Sequence, residues 1–193
     1  MNQVQHCRSI DAKLPRLECF DQVFSTPIKT VPVVKTETMF PRSWQWAMNS
    51  EKNRTTTKGF CINKSDSVAD GERYWLTASA INKRFKKGEA PILMLSCIEN
   101  ISRVELVFPV PIQDNHVSVS IPGVPVVTQR WISDDTGYLL RSGRGIPAIE
   151  AIKSMLTAPQ LILRSNVSDI DGLSFDTTDL RSDIESMRQA CRW

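Results

Sequence analysis

The chain of 193 residues is 41% hydrophobic and 23% charged, and its formal net charge is +3. This length suits a single domain, and the ordinary composition argues against intrinsic disorder. The small positive charge does not indicate a nucleic-acid partner, since that requires basic residues clustered on one face. No apolar run reaches the ~20 residues that a membrane helix needs, so we expect no membrane insertion. Residues 1–6 are polar and lead directly to Cys7, without the pattern of a signal peptide. Two interpretations fit this start: a cytosolic protein, or a mature form with an added Met1.

The first predicted element is helical. Pro15 interrupts the helical run of residues 1–24, because it lacks an N–H and restricts the residues before it. We therefore predict two short helices joined at a bend at Pro15, which would bring Cys7 and Cys19 close together. The apolar residues at helical spacing are Ile10, Leu14, Leu17, Phe20 and Phe24.

A linker is predicted over residues 25–43. Pro27, Pro32 and Pro41 interrupt a segment that is rich in Thr, Val and Lys and has no helical period. The linker separates an N-terminal helical segment, residues 1–24, from a β-rich domain with C-terminal helices, residues 44–193.

Short segments rich in β-branched and aromatic residues predict strands in the second part of the chain. In residues 102–108 apolar and polar side chains alternate, which predicts a half-buried strand with one face in water. Residues 129–141 are typical of a hairpin around an Asp-Asp-Thr-Gly turn. The predicted strands are residues 43–48, 73–81, 91–98, 102–108, 117–121, 126–132 and 138–141.

Two helices are predicted near the C-terminus. One begins near Pro147 and stops at Pro159, and the other runs from about Thr178 with an apolar stripe that ends at Cys191. Residues 161–163 and 173–175 predict a strand pair between them. Because short turns cannot connect parallel strands, the fold class is α+β. We expect an antiparallel β-sheet or β-sandwich with short N-terminal helices and two C-terminal helices.

The sequence shows no catalytic constellation. Nucleophilic catalysis needs a base near the nucleophile, and the two histidines are His6 in the N-terminal segment and His116 in a predicted turn. The acidic pairs at residues 134–135 and 169–171 fit turns better than a calcium loop, because neither continues to a closing Glu. Gly143-Arg144-Gly145 lacks the Lys-Ser/Thr of a phosphate loop. We expect no enzyme activity, no cofactor and no metal site.

The densest basic segment is residues 83–87, between two predicted strands. It suits a solvated hairpin tip that discourages edge pairing, and binding of anionic lipid, glycan or nucleic acid is the alternative. We expect no specific nucleic-acid affinity there.

Three stretches together resemble a known family. Residues 16–21 read RLECFD, residues 91–100 read PILMLSCIEN, and residues 190–193 read ACRW. They are similar to the R-L-x-C-[FY]-D, P-x-L-x-x-x-C-x-x-N and A-C-x-W motifs of the VasI/TagO family of type VI secretion system accessory proteins. The order and spacing of the motifs also agree, so the chain is identified as a divergent member of that family.

The resemblance implies a bacterial envelope protein that is encoded with a contractile secretion machine, and it implies no reaction. We expect a non-enzymatic periplasmic accessory protein that binds machine components or the cell wall. The alternative is an immunity-type protein that inhibits a secreted toxin, and a peptidoglycan-acting enzyme is a third hypothesis. The expected partner is a protein of the secretion apparatus or a secreted effector, with contact to peptidoglycan as a further option.

A partner-binding surface is predicted at Arg42, Trp44 and Trp46. Interfaces favour aromatic and arginine anchors. On a strand, Trp44 and Trp46 would share one face. The alternative is that both indoles belong to the core.

Five cysteines favour two disulfides and one free thiol, with five reduced cysteines as the alternative. We predict a Cys7–Cys19 bond, because a bend between the two helices brings them together. We also predict a Cys97–Cys191 bond, because Cys191 continues an apolar helical stripe that should face the sheet. Cys61 lies in the apolar triplet Phe60-Cys61-Ile62 and is expected to be an unpaired, buried and inert thiol.

Overall fold

The computed structural model describes residues 3–26, 40–67, 71–82, 85, 89–114, 116–123 and 125–193. The chain divides into two compact units, Met1–Met39 and Phe40–Trp193. The predicted linker, residues 25–43, falls mostly outside the described residues. The helices are α1 Gln3–Arg8, α2 Lys13–Phe24, α3 Arg42–Lys52, α4 Ile146–Met155, α5 Leu180–Asp183 and α6 Glu185–Cys191. The strands are β1 Cys61–Ser67, β2 Gly71–Ser79, β3 Ile92–Ile98, β4 Ile101–Val107, β5 His116–Ile121, β6 Val127–Ser133, β7 Leu139–Arg141, β8 Gln160–Ile162, β9 Arg164–Ser165 and β10 Ser174–Asp176.

The N-terminal unit is a helical hairpin of α1 and α2. Its bend is not at Pro15, as predicted, but at the four residues between the helices, where the backbone N–H of Ser9 bonds to the carbonyl of His6. Pro15 lies in the first turn of α2, where a missing N–H costs no helical hydrogen bond. A disulfide joins Cys7 to Cys19, with Cα atoms 5.4 Å apart.

The second unit contains one large antiparallel sheet of eight strands, in the order β1-β2-β3-β4-β7-β6-β5-β9, and a two-stranded sheet of β8 and β10. The α+β class is therefore correct, and the architecture is a sheet with helices rather than a sandwich of two large sheets. The predicted hairpin at residues 129–141 is β6–β7, and the predicted strand pair at residues 161–163 and 173–175 is β8–β10.

Helices cover both faces of the central strands. On one face, α4, α5 and α6 pack against Leu93, Leu95 and Leu106 in the main core. On the other face, Ala47 of α3 packs with Met94 of β3 and forms a smaller core. The prediction of one wet face for residues 102–108 is therefore wrong, since a strand covered on both sides buries residues of both parities.

The predicted strand at residues 43–48 is wrong, because these residues belong to helix α3. The buried residues of α3 are Ser43, Ala47 and Ser50, which recur at i, i+4 and i+7. Two of these three residues are polar, so a search for hydrophobic residues at helical spacing does not find the buried stripe of α3. Strand β1 is also missed, because its sequence CINKSDS is mostly polar and it forms an edge of the sheet.

The C-terminal elements follow the prediction closely. Helix α4 ends before Pro159, and the helix predicted from about Thr178 consists of α5 and α6, which meet at Ile184. Cys191 in α6 forms a disulfide with Cys97 in β3, with Cα atoms 5.8 Å apart. The two bonded pairs are the ones that the sequence predicts.

The basic segment at residues 83–87 lies outside the described residues except for Phe85. Phe85 is half-buried, and its ring meets that of Phe108 edge-on at 6.3 Å. Among the described residues, no helix is both long and apolar enough to span a membrane.

Candidate functional site

Helix α3 determines where the candidate site residues lie. Its small residues Ser43, Ala47 and Ser50 are buried. Successive helical residues are about 100° apart, so Trp44 and Trp46 are separated by about 200° around the axis. They therefore lie on opposite flanks of α3, not on one face of a strand as predicted.

The flank of Trp44 is an aromatic cluster. Its indole stacks on Phe40 with ring centroids 3.9 Å apart and meets Tyr138 edge-on at 5.9 Å. The indole Nε1–H donates a hydrogen bond of 2.9 Å to the carbonyl of Phe108. Trp44 is half-buried, so its ring is held by these contacts while part of its surface remains exposed.

The flank of Trp46 carries a second aromatic pair. Its ring stacks on Trp75 of β2 with centroids 5.5 Å apart, and the guanidinium of Arg73 lies 5.3 Å from its centroid. Both tryptophans are half-buried, while Arg42, in the first turn of the helix, is exposed. The three predicted partner-binding residues thus share one helix, with the two indoles partly accessible.

The C-terminal end of α3 carries an ion pair that was not predicted from the sequence. Arg54 binds both carboxylate oxygens of Glu51, with two N···O distances of 2.9 Å. Thr77 and Ser79 of β2 donate hydroxyl hydrogen bonds of 2.6 Å to the same carboxylate. The Glu51 side chain is 10% exposed. Its carboxylate is therefore fully engaged within the protein.

A chain of hydrogen bonds extends this network to strand β1. The Thr77 hydroxyl lies 2.6 Å from that of Ser50, and the amide of Asn63 donates to Ser50 Oγ at 2.7 Å. Since the Thr77 proton goes to Glu51, Ser50 is the donor to Thr77. The network joins α3, β1 and β2 through polar groups.

The surroundings of Glu51 and Arg54 stabilise the charged forms of both side chains. Burial raises the pKa of Glu51, but the hydrogen bonds from Arg54, Ser79 and Thr77 outweigh it and leave that pKa below its ordinary value. Burial lowers the pKa of Arg54, and the bond to Glu51 reverses this so that the pKa is raised. Both groups stay charged over the physiological pH range, and Glu51 is poorly suited to donate a proton.

Cys61 forms no disulfide and is half-buried rather than buried as expected. Burial raises the pKa of its thiol; Arg54 opposes this shift and Glu51 adds to it. A raised pKa keeps the thiol protonated and weakly nucleophilic.

A cleft of about 650 Å³ opens beside the Glu51–Arg54 pair. Asp176 accepts two hydrogen bonds from Thr178, which hold the pKa of Asp176 below its ordinary value, and a third from the backbone N–H of Gly59. The carboxylates of this cleft are thus occupied by partners from the protein. Its wall includes Arg54, Lys58, Ser79, Ile81, Gln160 and Asp176.

The remaining sequence candidates belong to elements other than α3. His6 is on α1 in the N-terminal unit, and His116 is an exposed residue at the start of β5. Asp134 accepts hydrogen bonds from Thr136 and the backbone of Leu139, as expected for a turn residue. Within the described part of the chain, no group of three or more His, Cys, Asp or Glu side chains is arranged to hold a metal ion.

The fold and these surfaces define a disulfide-linked α+β protein whose most prominent features are half-buried aromatic side chains. The family model described as Type VI secretion system VasI, EvfG matches residues 6–193, nearly the whole chain. The chain therefore belongs to the VasI family of type VI secretion proteins. Comparisons with the curated proteins and with the solved structures gave no match.

Proposed function

We propose that this protein is a non-enzymatic accessory of a type VI secretion system that works in the periplasm and binds a component of the secretion machine through the two flanks of α3. The match of the family model over residues 6–193 carries the proposal. The role, the compartment and the partner surface are inferred from that match together with the features described below.

A binding role fits the chemistry of the cleft beside the Glu51–Arg54 pair. The Glu51 carboxylate is engaged by Arg54 and two hydroxyls, and Asp176 is engaged by Thr178 and Gly59. Catalysis usually requires a group whose pKa is shifted toward activity. Both carboxylates instead have lowered pKa values and partners within the protein, which favours a structural role. Outside the wall of this cleft, the raised pKa of Cys61 disfavours a thiolate nucleophile.

The aromatic flanks of α3 suit a protein interface. Binding hot spots are enriched in Trp, Tyr and Arg. Trp44 is held by its bond to Phe108, and Trp46 is held by Trp75. Arg42 is exposed in the first turn of the same helix, where it can pair with a carboxylate of the partner.

The two disulfides support the proposed compartment, because disulfides persist in the bacterial periplasm and are rare in the cytosol. A thiol-trapping experiment in the native host tests this. Cells are quenched in acid, and free thiols are labelled with a maleimide polymer that shifts the band on a gel. We expect a single label, at Cys61. Labelling at all five cysteines would place the protein in a reducing compartment and contradict the proposal.

The partner is tested by affinity purification of the tagged protein from the native host after chemical cross-linking. We expect components of the secretion machine, and we expect them to be lost in an Arg42→Ala/Trp46→Ala variant. The matched control is Glu150→Ala, on the exposed side of α4. Recovery of one secreted effector instead would favour the immunity-type alternative and contradict the proposed role.

A further inference from the structure

A second surface lies on the same face of the sheet as α3, but beyond that helix. Strand register places Glu105 opposite Arg141, Arg141 opposite Ile132, and Ile132 opposite His116. Arg103, two residues before Glu105, and Arg130, two before Ile132, share this face because side chains alternate along a strand. Arg164 of β9 is opposite Ser120, which extends the face to the edge of the sheet. We call Arg103, Arg130, Arg141 and Arg164 the arginine face.

The part of the arginine face on β5 and β6 is open to solvent. The residues of β5 and β6 with the opposite parity, such as Val117, Val119 and Trp131, are fully buried in the main core beneath α4. On the arginine face itself, Arg130 and His116 are exposed, and Ile132 is 53% exposed. One side of these strands therefore forms the core, while the other presents charged groups to water.

Positive charge is in excess on this face. Glu105 neutralises Arg141 at 2.8 Å, and Asp171 lies 3.6 Å from Arg164. Arg103 and Arg130 make no ion pair with any described residue, and the Nε of Arg103 is buried without a hydrogen-bond partner among them. Two guanidinium groups thus have no anionic partner among the described residues, the exposed one of Arg130 and the half-buried one of Arg103.

The sheet holds both arginines on ordered strands. Arg103 on β4 and Arg130 on β6 lie two residues beyond the Glu105–Arg141–Ile132 row, on the same side of it and past the end of β7 at Arg141. Within that row, β4 and β6 are two strand spacings apart, about 10 Å. The two arginines therefore lie on neighbouring parts of one surface.

We propose that the arginine face binds an acidic segment of a partner protein, with Arg103 and Arg130 each pairing with one carboxylate. Guanidinium groups pair bidentately with carboxylates. Ile132 adds an apolar contact between Arg141 and His116 that a peptide side chain can cover.

Single-stranded nucleic acids use aromatic stacking platforms, and the described residues of β5, β7 and β9 include no Phe, Tyr or Trp, while Trp131 of β6 is buried on the opposite face. Trp75 lies on this side of the sheet, two strands from Arg103, and it is stacked against Trp46. An acidic peptide therefore suits this surface better than a polynucleotide.

The test is fluorescence anisotropy with the full chain and a fluorescein-labelled peptide of alternating Glu and Ser. We expect saturable binding that weakens as salt is added, and a loss of about tenfold in affinity in the Arg103→Gln/Arg130→Gln variant. The control matched to each single variant is Arg192→Gln, which removes one positive charge from the end of α6 on the opposite side of the sheet and should leave the affinity unchanged. The two single variants are measured as well, so that the result does not depend on the double variant folding.

Three outcomes would overturn the proposal: no binding of the acidic peptide, equal weakening by the Arg192→Gln control, or stronger competition from a polythymidine oligonucleotide or from polygalacturonate than from unlabelled peptide. Stronger competition from the oligonucleotide or the polysaccharide would mean that the arginine face binds that polyanion and not an acidic peptide. None of these substitutions changes a residue of α3, so the inference fails or holds separately from the proposed function.

Discussion

The two units of the chain are stabilised by different means. In the N-terminal hairpin α2 contributes no buried residue, and Leu14, Leu17 and Phe24 are 79%, 57% and 61% exposed. In the second unit, large side chains such as Trp131 and Phe108 are completely buried. The hairpin has one buried residue among those described, Cys7, and it is part of a disulfide.

This contrast shows that the two disulfides have different roles. In the hairpin the disulfide takes the place of a core, which is typical of segments too small to bury enough apolar surface. In the second unit the Cys97–Cys191 bond is added to an existing core and fixes the last helix to a central strand. Removing each bond should therefore have different consequences.

The largest effect is expected for Cys97→Ser/Cys191→Ser. The bond spans 94 residues, and loop entropy assigns about 5 kcal/mol to a loop of this length. Against a typical total of about 5–15 kcal/mol, this loss removes roughly a third or more of the stability of the second unit. Urea unfolding followed by circular dichroism measures it, with Cys61→Ser as the control. A loss of unfolding free energy no larger than that of Cys61→Ser would show that the hydrophobic core alone keeps the second unit folded.

The next effect is expected for Cys7→Ser/Cys19→Ser. Loop entropy assigns about 3 kcal/mol to this short loop, and the hairpin has little else to hold it. We expect hydrogen exchange of the α1 and α2 amides to become fast, while the exchange of β3 and β4 stays slow. Protected helices in the variant would contradict the view that the disulfide substitutes for a core.

Glu51→Gln tests whether polar groups also stabilise the second unit. It removes a charged partner from Arg54 and is expected to lower the free energy of unfolding by about 2 kcal/mol. The control is Glu185→Gln, which breaks an exposed i,i+3 pair with Arg188 and should cost less than about 0.5 kcal/mol. Equal effects of the two substitutions would contradict the account.

The same substitution has a pH signature. The folded pKa of Glu51 lies below its unfolded value, so its contribution is complete above about pH 4.3 and is lost as pH falls through the folded pKa. The stability difference between the wild type and Glu51→Gln should therefore shrink on acidification. Urea titrations at a series of acidic pH values measure this difference. A difference that stays constant or grows as the pH falls would contradict the prediction.

The smallest effect is expected for Leu14→Ser, which replaces an apolar residue that is 79% exposed. Because Leu14 buries little surface, its replacement should change the free energy of unfolding of either unit by less than about 0.5 kcal/mol. Leu93→Ser, at a completely buried position, is the contrast and should destabilise severely. A large effect of Leu14→Ser would show that the hairpin depends on apolar packing after all.

The sequence predicted the elements whose turns or caps carry strong local signals. The β6–β7 hairpin follows from its Asp-Asp-Thr-Gly turn, and α4 follows from Pro147 near its start and Pro159 beyond its end. It misassigned α3, because the buried stripe of that helix contains Ser43 and Ser50. Local sequence patterns detect large hydrophobic residues at regular spacing, whereas α3 packs through three small residues, two of which are polar.

The candidate site was predicted only in part, for the same reason. Arg42, Trp44 and Trp46 were singled out, but their arrangement on two flanks depends on the helix. The Glu51–Arg54 pair has i,i+3 spacing, which is recognisable once α3 is assigned. Its partners Thr77 and Ser79 come from β2, and no local pattern links them to Glu51.

Site-specific photo-cross-linking in the native host tests the central claim, that α3 binds the secretion machine, most directly. A photoreactive phenylalanine is placed at position 46, beside Trp75, and in a parallel strain at position 150 on α4 as the control. The account predicts a cross-link from position 46 to a structural component of the type VI machine and none from position 150. A cross-link from position 46 to a secreted effector alone, or equal yields at both positions, would contradict it.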